Sequence, residues 1–445
     1  MAKQIILIQN QIKKCFITAL LILAGMASCI AQHAERPNII IIVADDLGYG
    51  DLACYGNKNI QTPNIDKLAK GGIKFLDFHS NGAVCSPTRA SLLTGKYPQS
   101  VGISGVITAK DHRDVGLDKS EILIPEVLKK IGYTTGMAGK WHLGYDTMYS
   151  PVKQGFEIFK GYTSGNVDYI THFDQENNFD WWANVDKSYE KGYTTDLITE
   201  HSLSFIKKNK HTPFFLYIAH EAPHSPYQLR ESAPERGENA SQNLLSKQNN
   251  ADVYRKMIEI MDEGIGKVMA SLEKNKISKN TLVLFLSDNG ATPVGSNLPY
   301  KGYKAQVWEG GHRVPAIAYW KGVIQPGFTT EQIMTMDIFP TITDLVGVDV
   351  SGSINFAGKS FRNLFSDHQF HMNERPLFWS YNNSTAIRQG NWKLVHEKEK
   401  FYLYDLSKDP GEVNNVYEKF PDGAKTLTGF LDQWVKKMSL IHQKS

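Results

Sequence analysis

Residues 38–46 read Asn38-Ile39-Ile40-Ile41-Ile42-Val43-Ala44-Asp45-Asp46, and this stretch decides the fold class. The run from Ile39 to Val43 consists of β-branched apolar residues and predicts a strand buried on both faces, as in a parallel sheet. Similar runs occur at Phe214 to Ala219 and at Leu282 to Leu286. Helical spacing of apolar residues is found between them, at Ile122 to Ile131, Leu197 to Ile206 and Tyr254 to Leu272. Alternating strands and helices predict an α/β fold with a mostly parallel sheet flanked by helices.

Polar side chains follow each of these three strands. In chain order they are Asp45 and Asp46, His220 and His224, and Asp288 and Asn289. Because open α/β sheets bind ligands beyond the carboxyl ends of their strands, we expect these groups to meet in one crevice. Three carboxylates and one amide oxygen suit a hard divalent cation, calcium above all. The alternative is an Asx turn at each strand end, which Asp-Asp and Asp-Asn-Gly sequences also favour.

The chain has 445 residues, of which 41% are hydrophobic, and its formal net charge is +3 at pH 7. This length and composition are typical of a globular enzyme with one large domain and one smaller domain. The net charge is small, and the sequence has neither a basic stripe nor a nucleic-acid-binding motif. These features argue against a nucleic-acid partner.

The sequence pattern changes after about Arg375. Short apolar and aromatic runs separated by turn-like residues predict antiparallel strands there, and a final helix is expected over Ala424 to Met438. We therefore predict a catalytic domain over residues 35–374 and a smaller C-terminal α+β subdomain over residues 375–445. The predicted strands lie within Pro376 to Tyr381, Thr385 to Arg388, Trp392 to Val395 and Phe401 to Tyr404.

Residues 1–31 have the layout of an export signal. Two lysines precede an apolar run, Phe16 to Gly25, that is too short to span a bilayer, and small residues follow it. The stretch Met26-Ala27-Ser28-Cys29 resembles a bacterial lipobox, in which Cys29 would carry a lipid anchor. The alternative is cleavage near Ala31 with release of a soluble protein. Both routes predict an exported bacterial protein, either periplasmic or a membrane-anchored lipoprotein.

The most specific motif in the chain is the run Cys85-Ser86-Pro87-Thr88-Arg89-Ala90-Ser91-Leu92-Leu93-Thr94-Gly95. Taken alone, its cysteine fits a buried free thiol before a helix. The fixed offsets of Pro87, Arg89 and Leu-Leu-Thr-Gly resemble the signature of the formylglycine-dependent (type I) sulfatases. Two further stretches are similar to the same family, namely Gly139-Lys140-Trp141-His142-Leu143-Gly144 and Trp308-Glu309-Gly310-Gly311. The resemblance runs from about Pro37 to Asn415 and implies an alkaline-phosphatase-like fold.

The resemblance also implies the site residues of a calcium-dependent sulfatase. In that family the cysteine, here Cys85, is oxidised to formylglycine before folding. The implied ligands of one Ca²⁺ are Asp45, Asp46, the modified Cys85, Asp288 and Asn289. The other implied catalytic residues are Arg89, Lys140, His142, His224 and Lys304. Without the motifs around them, the lysines would be interpreted as solvated surface residues and the histidines as packed core residues. His220, Lys301 and Arg313 are expected to have structural or peripheral positions.

The implied reaction begins when a hydroxyl of the hydrated formylglycine attacks the sulfur atom. His224 would protonate the departing alcohol, since an ordinary histidine pKa near ~6.5 suits a general acid at neutral pH. His142 would assist the release of sulfate. We expect Lys140 and His142 to point to the same side of a strand because they are two residues apart. We also expect a helix over Thr88 to Leu93, whose N-terminal amides favour an anion.

The substrate is indicated less directly. The segment Gly155 to Tyr193 is rich in aromatic residues that suit a sugar, although loop aromatics packed on the main domain are the alternative. These candidates are Tyr162, Tyr169, His172, Trp181 and Trp182. The motifs look most like the N-acetylgalactosamine-4-sulfatase (arylsulfatase B) branch, which implies exo-action on sulfated galactose or N-acetylgalactosamine.

The implied partners are a sulfated carbohydrate and a maturation enzyme, either formylglycine-generating or anaerobic sulfatase-maturating. Two other functions stay open at this point. One is a phosphomonoester or phosphonate hydrolase of the same superfamily. The other is a glycan-binding surface lipoprotein in which Cys85 is never converted.

Overall fold

The stretch Asn38–Ala44 forms a strand near the middle of a ten-stranded sheet. The structure is a computed structural model that describes residues 36–237, 250–367 and 369–442. The predicted export signal and the lipobox cysteine Cys29 lie outside the described residues. Among the described residues, none of the helices is both long enough and apolar enough to cross a bilayer.

In chain order the strands of the described residues are β1 (Asn38–Ala44), β2 (Ile73–Phe75), β3 (Phe78–His79), β4 (Thr134–Lys140), β5 (Ile158–Tyr162), β6 (Trp182–Ala183), β7 (Asp186–Lys187), β8 (Phe214–Ala219), β9 (Thr281–Ser287), β10 (Ala316–Tyr319), β11 (Gly327–Thr329), β12 (Ile333–Met334), β13 (Leu377–Tyr381), β14 (Ser384–Gln389), β15 (Trp392–Glu397) and β16 (Lys400–Asp405). The α-helices are α1 (Pro63–Gly71), α2 (Cys85–Thr94), α3 (Ile124–Lys130), α4 (Thr194–Asn209), α5 (Asn250–Lys274), α6 (Glu309–His312), α7 (Ile338–Val346) and α8 (Pro421–His442).

The large sheet has the strand order β11-β2-β10-β9-β1-β8-β4-β5-β6-β7. Its central strands, from β9 through β1, β8 and β4 to β5, are all parallel to one another. Antiparallel pairing begins on either side, where β10 pairs with β9 and β6 pairs with β5. The predicted mostly parallel sheet is confirmed, and the carboxyl ends of the five parallel strands lie at one edge.

Alternate residues of β1 face two apolar layers on opposite sides of the sheet. Ile39, Ile41 and Val43 contact the layer that includes side chains of α2, α3 and α7. Ile40 and Ile42 contact the layer that includes side chains of α1, α4 and α5. Burying each such side chain stabilises the fold by about 1.5–3 kcal/mol. This packing on both faces explains why the strand reads as an unbroken apolar run.

The C-terminal part contains a separate four-stranded antiparallel sheet, in the order β13-β14-β15-β16, together with α8. Its own apolar cluster includes Trp379 and Leu394 from the sheet and Leu431 from α8. The Phe378 and Trp434 rings stack with their centroids 5.1 Å apart. The predicted C-terminal α+β subdomain is therefore confirmed, whereas the division of the chain between residues 374 and 375 stays a prediction.

Candidate active site

Three of the parallel strands deliver polar side chains to one edge of the sheet. Asp45 and Asp46 follow β1, Lys140 ends β4, and Asp288 and Asn289 follow β9. The backbone keeps these strand ends in register, because the Asp288 amide donates to the Ala44 carbonyl at 3.1 Å. Asp46 has a φ of 64°. Aspartate tolerates this left-handed conformation better than most residues do, so the chain can turn sharply while its carboxylate stays at the edge.

Cys85 is the first residue of α2 and lies against this edge. Its thiol donates to Asp45 Oδ1 at 3.3 Å, and Lys304 Nζ lies 3.4 Å from its sulfur. Burial and then the Asp45 charge raise the pKa of the Cys85 thiol well above its usual range, despite the two nearby lysines. The unmodified side chain is therefore a neutral thiol. The helix predicted over Thr88 to Leu93 begins three residues earlier, at Cys85, and ends at Thr94, followed by Gly95 with a φ of 68°.

Three cations neutralise the buried carboxylates. Lys140 Nζ ion-pairs with Asp45, and Lys304 Nζ lies 2.7 Å from Asp46 Oδ1. Arg89 Nη2 lies 2.7 Å from Asp288 Oδ2 and 3.6 Å from Asp45 Oδ2.

Burial opposes the ionisation of Asp45. Lys140, His224, Arg89 and Lys304 together outweigh that effect and hold the Asp45 pKa below its usual range. The pKa of Asp288 is raised, first by burial and then by the Asp45 charge.

Asn289 supplies a buried oxygen that has no partner. Its Nδ2 donates to Asp46 Oδ1 at 2.7 Å and to the Gly290 carbonyl at 3.0 Å. This leaves Oδ1 as an acceptor without a hydrogen bond in the described part of the chain. Buried acceptors are rarely left unsatisfied. Beside three carboxylates, such an oxygen fits a bound cation.

His224 joins the carboxylates and the cysteine. One ligand atom from each of Asp45, Asp46, Cys85 and His224 can be chosen so that all four lie within 4.8 Å of one another. The ring Nδ1 donates to the Ser225 carbonyl at 2.5 Å, which leaves Nε2 facing Asp46 Oδ2 at 3.6 Å. Burial, followed by the Lys304 charge, lowers the pKa of His224 to about 4. The expectation of an ordinary histidine pKa is therefore wrong for the protein without substrate.

His142 has a defined tautomer. Its Nε2 donates to the Ile107 carbonyl at 2.9 Å, so Nδ1 carries the lone pair. That Nδ1 is buried and has no partner among the described residues. Burial and then the Lys140 charge lower the pKa of His142, so the ring is neutral. The strand-periodicity argument for this residue is wrong, because β4 ends at Lys140 and His142 has a φ of 56°.

Three nearby candidates are held outside the cluster, as expected. Lys301 Nζ lies 3.5 Å from the centroid of the Trp308 ring. Arg313 donates to the Leu76 carbonyl and pairs with Glu309. His220 is buried, and burial lowers its pKa to about 4.

The five aromatic candidates do not form an open sugar-binding surface. Tyr162, Tyr169 and Trp181 are fully buried, and His172 stacks on Trp181 with centroids 4.6 Å apart. The face of Trp182 is covered by Lys187, whose Nζ lies 3.6 Å from the ring centroid. The sugar-binding interpretation of these residues is wrong, and the packing alternative is correct.

Two contacts at the site could not be predicted from the sequence. The Tyr169 hydroxyl donates to the His224 carbonyl at 2.9 Å and helps to place that residue. The Ile107 carbonyl selects the tautomer of His142. A backbone carbonyl has no side-chain signature, and the tyrosine is 55 residues from its partner, so neither contact has a signal in the sequence.

Comparisons with known proteins agree with this geometry. The sequence model of the family described as "Sulfatase" matches residues 37–348, and the one described as "N-sulphoglucosamine sulphohydrolase, C-terminal" matches residues 302–438. N-acetylgalactosamine-6-sulfatase of Rattus norvegicus is 33% identical, with 95% of this chain and 88% of the relative covered. Arylsulfatase A of Homo sapiens is 31% identical, covering 92% and 88% of the two chains.

A solved structure described as Ps i-CgsB in complex with k-i-k-neocarrahexaose is 29% identical, with a TM-score of 0.81. The match covers 90% of this chain and 93% of that one. Sequence motifs, fold and relatives thus agree along most of the chain. The chain therefore belongs to the sulfatase family and is a sulfuric ester hydrolase.

Proposed function

We propose that this chain is a calcium-dependent, formylglycine-dependent sulfatase that removes sulfate from glycans. The observation that carries the proposal is the position of Cys85. Its sulfur lies 3.3 Å from Asp45 and 3.4 Å from Lys304, at the first residue of a helix. A nucleophile placed there would face both a carboxylate cluster and the cations needed to bind an anionic ester.

The neutral state of the Cys85 thiol in the folded protein argues against the unmodified cysteine as the nucleophile. A thiolate is the reactive form of cysteine, and burial together with Asp45 raises the pKa of this thiol. A formylglycine at position 85 would supply, as its hydrate, a hydroxyl group able to attack sulfur. Because Cys85 is buried in the folded protein, a formylglycine-generating or anaerobic sulfatase-maturating enzyme would act before folding.

The carboxylate cluster suits Ca²⁺. Asp45, Asp46, Asp288 and Asn289 offer oxygen ligands, and Asn289 Oδ1 has no hydrogen-bond donor among the described residues. We propose these four residues and the modified residue 85 as the ligands. When bound, the ion would act as a Lewis acid on a sulfate oxygen.

The cations are proposed to bind the sulfate group and its developing charge. Lys140 and Arg89 are buried beside Asp45, and Lys304 pairs with Asp46. Their positions are already held by ion pairs and need little reorganisation. Preorganised charge of this kind stabilises a transition state more than mobile charge does.

The two histidines are suited to opposite proton transfers. His142 is neutral and its Nδ1 lone pair is free, so it can accept a proton from a hydroxyl on residue 85. His224 Nε2 faces the cluster, and its lowered pKa leaves the ring neutral before substrate binds. A bound sulfate ester adds negative charge beside it, which raises the pKa and favours the protonated form that donates to the leaving oxygen.

We propose a sulfated galactose or N-acetylgalactosamine unit, attacked in the exo mode, as the substrate. One relative is named N-acetylgalactosamine-6-sulfatase, and the similar solved structure is described as a complex with k-i-k-neocarrahexaose. The resemblance to the 4-sulfatase branch stays a prediction. Membership in the sulfatase family favours this function over a phosphatase or a non-catalytic lipoprotein.

Export is proposed as well. The signal-like residues 1–31 support a periplasmic protein or a lipoprotein anchored through Cys29 in a bacterium. Metabolic labelling with a fatty acid, compared between the wild-type chain and Cys29→Ser, would separate the two.

Removing calcium is expected to abolish hydrolysis of 4-nitrophenyl sulfate and to lower the melting temperature. A ligand present at about 100 times its Kd stabilises the folded state by about 2.7 kcal/mol. Asn289→Ala deletes the unpartnered oxygen without changing charge, so we expect the half-saturating Ca²⁺ concentration to rise about tenfold or more. Activity and melting temperature are measured during Ca²⁺ titration of chelator-treated protein.

Asn38→Ala is the matched control for this titration. Asn38 is also a buried asparagine, but it lies at the opposite end of β1 from Asp45, where its amide bonds to the Thr281 side chain and the Phe214 backbone. We expect its half-saturating Ca²⁺ concentration to equal that of the wild type. Full activity and an unchanged melting temperature after chelation would refute the calcium proposal.

A panel of defined sulfated sugars is expected to show release of sulfate from galactose or N-acetylgalactosamine at the non-reducing end. Rates on the 4-sulfate and 6-sulfate isomers, measured by sulfate ion chromatography, show which sulfate position the enzyme prefers. Aryl phosphate is the control for anion selectivity, because phosphate carries more negative charge than sulfate. Release from uronic acid or glucosamine units alone would contradict the proposed substrate.

A further inference from the structure

A second set of buried charges lies outside the candidate active site. We call it the junction cluster, and its members are Asp77, Glu309, Arg388, Lys393 and Glu412. All five are buried. Arg388 belongs to β14 and Lys393 to β15, so the C-terminal sheet contributes the cations to acidic groups that include Glu309 of α6.

Lys393 is the centre of this cluster. Its Nζ lies 3.0 Å from Glu309 Oε1 and 3.0 Å from Glu412 Oε1. It also lies 3.1 Å from His312 Nε2, at the other end of α6. Glu412 completes the contact, because its Oε2 accepts a hydrogen bond from the Glu309 amide at 2.7 Å. Side chains from the C-terminal part thus hold both ends of α6.

The junction cluster is not a second metal site. His79, Glu309 and His312 lie close enough to bind an ion. However, Lys393 and Arg388 already supply positive charge to this group, at 3.1 Å from His312 Nε2 and from His79 Nε2 respectively. All four ring nitrogens of His79 and His312 are thus engaged by protein groups, whereas Asn289 Oδ1 in the candidate active site has no partner among the described residues.

The backbone of α6 reaches the candidate active site directly. The Gly311 carbonyl accepts from the amide of Gly290, which follows Asn289, at 3.0 Å. The His312 carbonyl accepts from the Ser80 amide at 2.8 Å, in the loop that leads to Cys85. A shift of α6 would therefore move the Asn289 turn and the Cys85 loop together.

The segment before α6 carries Lys304 and shares these attachments. The Gly310 amide donates to the Lys301 carbonyl at 2.7 Å, closing the loop around Lys304. The Lys304 amide donates to the Ala291 carbonyl at 3.0 Å, and the Ala305 amide donates to the Ala83 carbonyl at 2.8 Å. A lysine with a long, flexible side chain needs such a fixed backbone to keep its ammonium group beside Asp46 and Cys85.

We propose that Lys393 is a positioning residue for the sulfatase reaction. It acts through Glu309 and Glu412 on α6 and so on Lys304, which makes the C-terminal sheet part of the apparatus that orders the active site. Replacing a buried ion pair by apolar groups often leaves stability unchanged or improved, so stability alone does not explain a buried lysine here. The inference rests on the proposed role of Lys304 in binding sulfate.

A double-mutant cycle tests the proposal on the full chain. We expect Lys393→Met to lower kcat on 4-nitrophenyl sulfate at least about tenfold, because Lys304 is no longer held in place. In a Lys304→Ala background the same change should lower kcat less than about twofold, since its effect passes through Lys304. Rates are measured on folded protein, verified by thermal melting and circular dichroism.

A second variant separates positioning from folding. Lys393→Met with Glu412→Gln restores the charge balance and keeps an acceptor for the Glu309 amide. We expect this pair to regain melting temperature but not kcat. Recovery of both melting temperature and kcat in this double variant would overturn the proposal. Additive effects of Lys393→Met and Lys304→Ala on kcat would overturn it as well.

Arg375→Met is the matched control, because Arg375 forms another ion pair of the C-terminal part, with Asp337, and this pair includes no residue of α6. Its kcat should equal that of the wild type, and a loss as large as that of Lys393→Met would contradict a specific role for Lys393. Lys304→Ala reports separately on the proposed function. A wild-type rate in Lys304→Ala would refute the role of Lys304, whereas a wild-type rate in Lys393→Met would refute positioning alone.

Discussion

Cys85→Ala is expected to fold normally yet to hydrolyse 4-nitrophenyl sulfate more slowly by on the order of 10⁴-fold or more, the usual loss when a nucleophile is removed. The change deletes one sulfur atom from a buried position, so the cost in unfolding free energy should be only about 1 kcal/mol. Melting temperature and kcat/KM are measured together. Peptide mass spectrometry of the wild type should find an aldehyde in place of the thiol at residue 85.

Cys54→Ala is the control for this experiment. Cys54 is half-buried, and burial followed by the Asp66 charge raises its pKa well above the usual range, so it too is a neutral thiol. We expect its kcat to equal that of the wild type. An unmodified thiol at residue 85 in fully active protein would rule out the formylglycine, and an active Cys85→Ala would rule out the whole site.

His224→Ala is expected to slow the desulfation of sugars about 10²- to 10⁴-fold, the usual contribution of a general acid. On 4-nitrophenyl sulfate the loss should be less than about tenfold, because 4-nitrophenolate is a stable anion that leaves without a proton. The measured quantity is the ratio of kcat/KM values on the two substrates. This dependence on the leaving group distinguishes a proton donor from a residue that only binds sulfate.

His220→Ala provides the comparison for His224. Both histidines follow β8, and burial lowers the pKa of each to about 4. Only His224 Nε2 faces the carboxylate cluster, at 3.6 Å from Asp46. We expect His220→Ala to change kcat/KM on the sulfated sugar and on 4-nitrophenyl sulfate by the same factor. Equal losses on both substrates in His224→Ala would contradict its role as the acid.

Much of the fold could be predicted because local pattern and tertiary environment agree. The runs at Ile39 to Val43 and Phe214 to Ala219 became β1 and β8, since central parallel strands are buried on both faces. The antiparallel C-terminal strands were also predicted, because Asn382-Asn383 and Gly390-Asn391 mark two of the turns between them.

The candidate site was predicted less completely. The family resemblance implied that Cys85, Arg89 and Lys304 share one site, and the structure brings them to the neighbouring carboxylates Asp45 and Asp46. The sequence pattern gave a wrong prediction for residues whose role depends on whether the side chain is buried. Tyr162 and Trp181 looked like sugar-binding aromatics but lie in the core, because aromatic composition does not report which face of a ring is covered.

The amino-acid sequence by itself determined the α/β class, the order of the strands along the chain and the residues that follow each strand. These properties depend on periodicity and on short motifs, which act over a few residues. Only the tertiary structure decided the tautomer of His142, the lowered pKa of His224 and the contact of Lys393 with Glu309. Each of these depends on burial or on a partner far away in the chain, 84 residues in the last case. Long-range contacts of this kind form only when the sheet and its helices pack, and no local pattern encodes them.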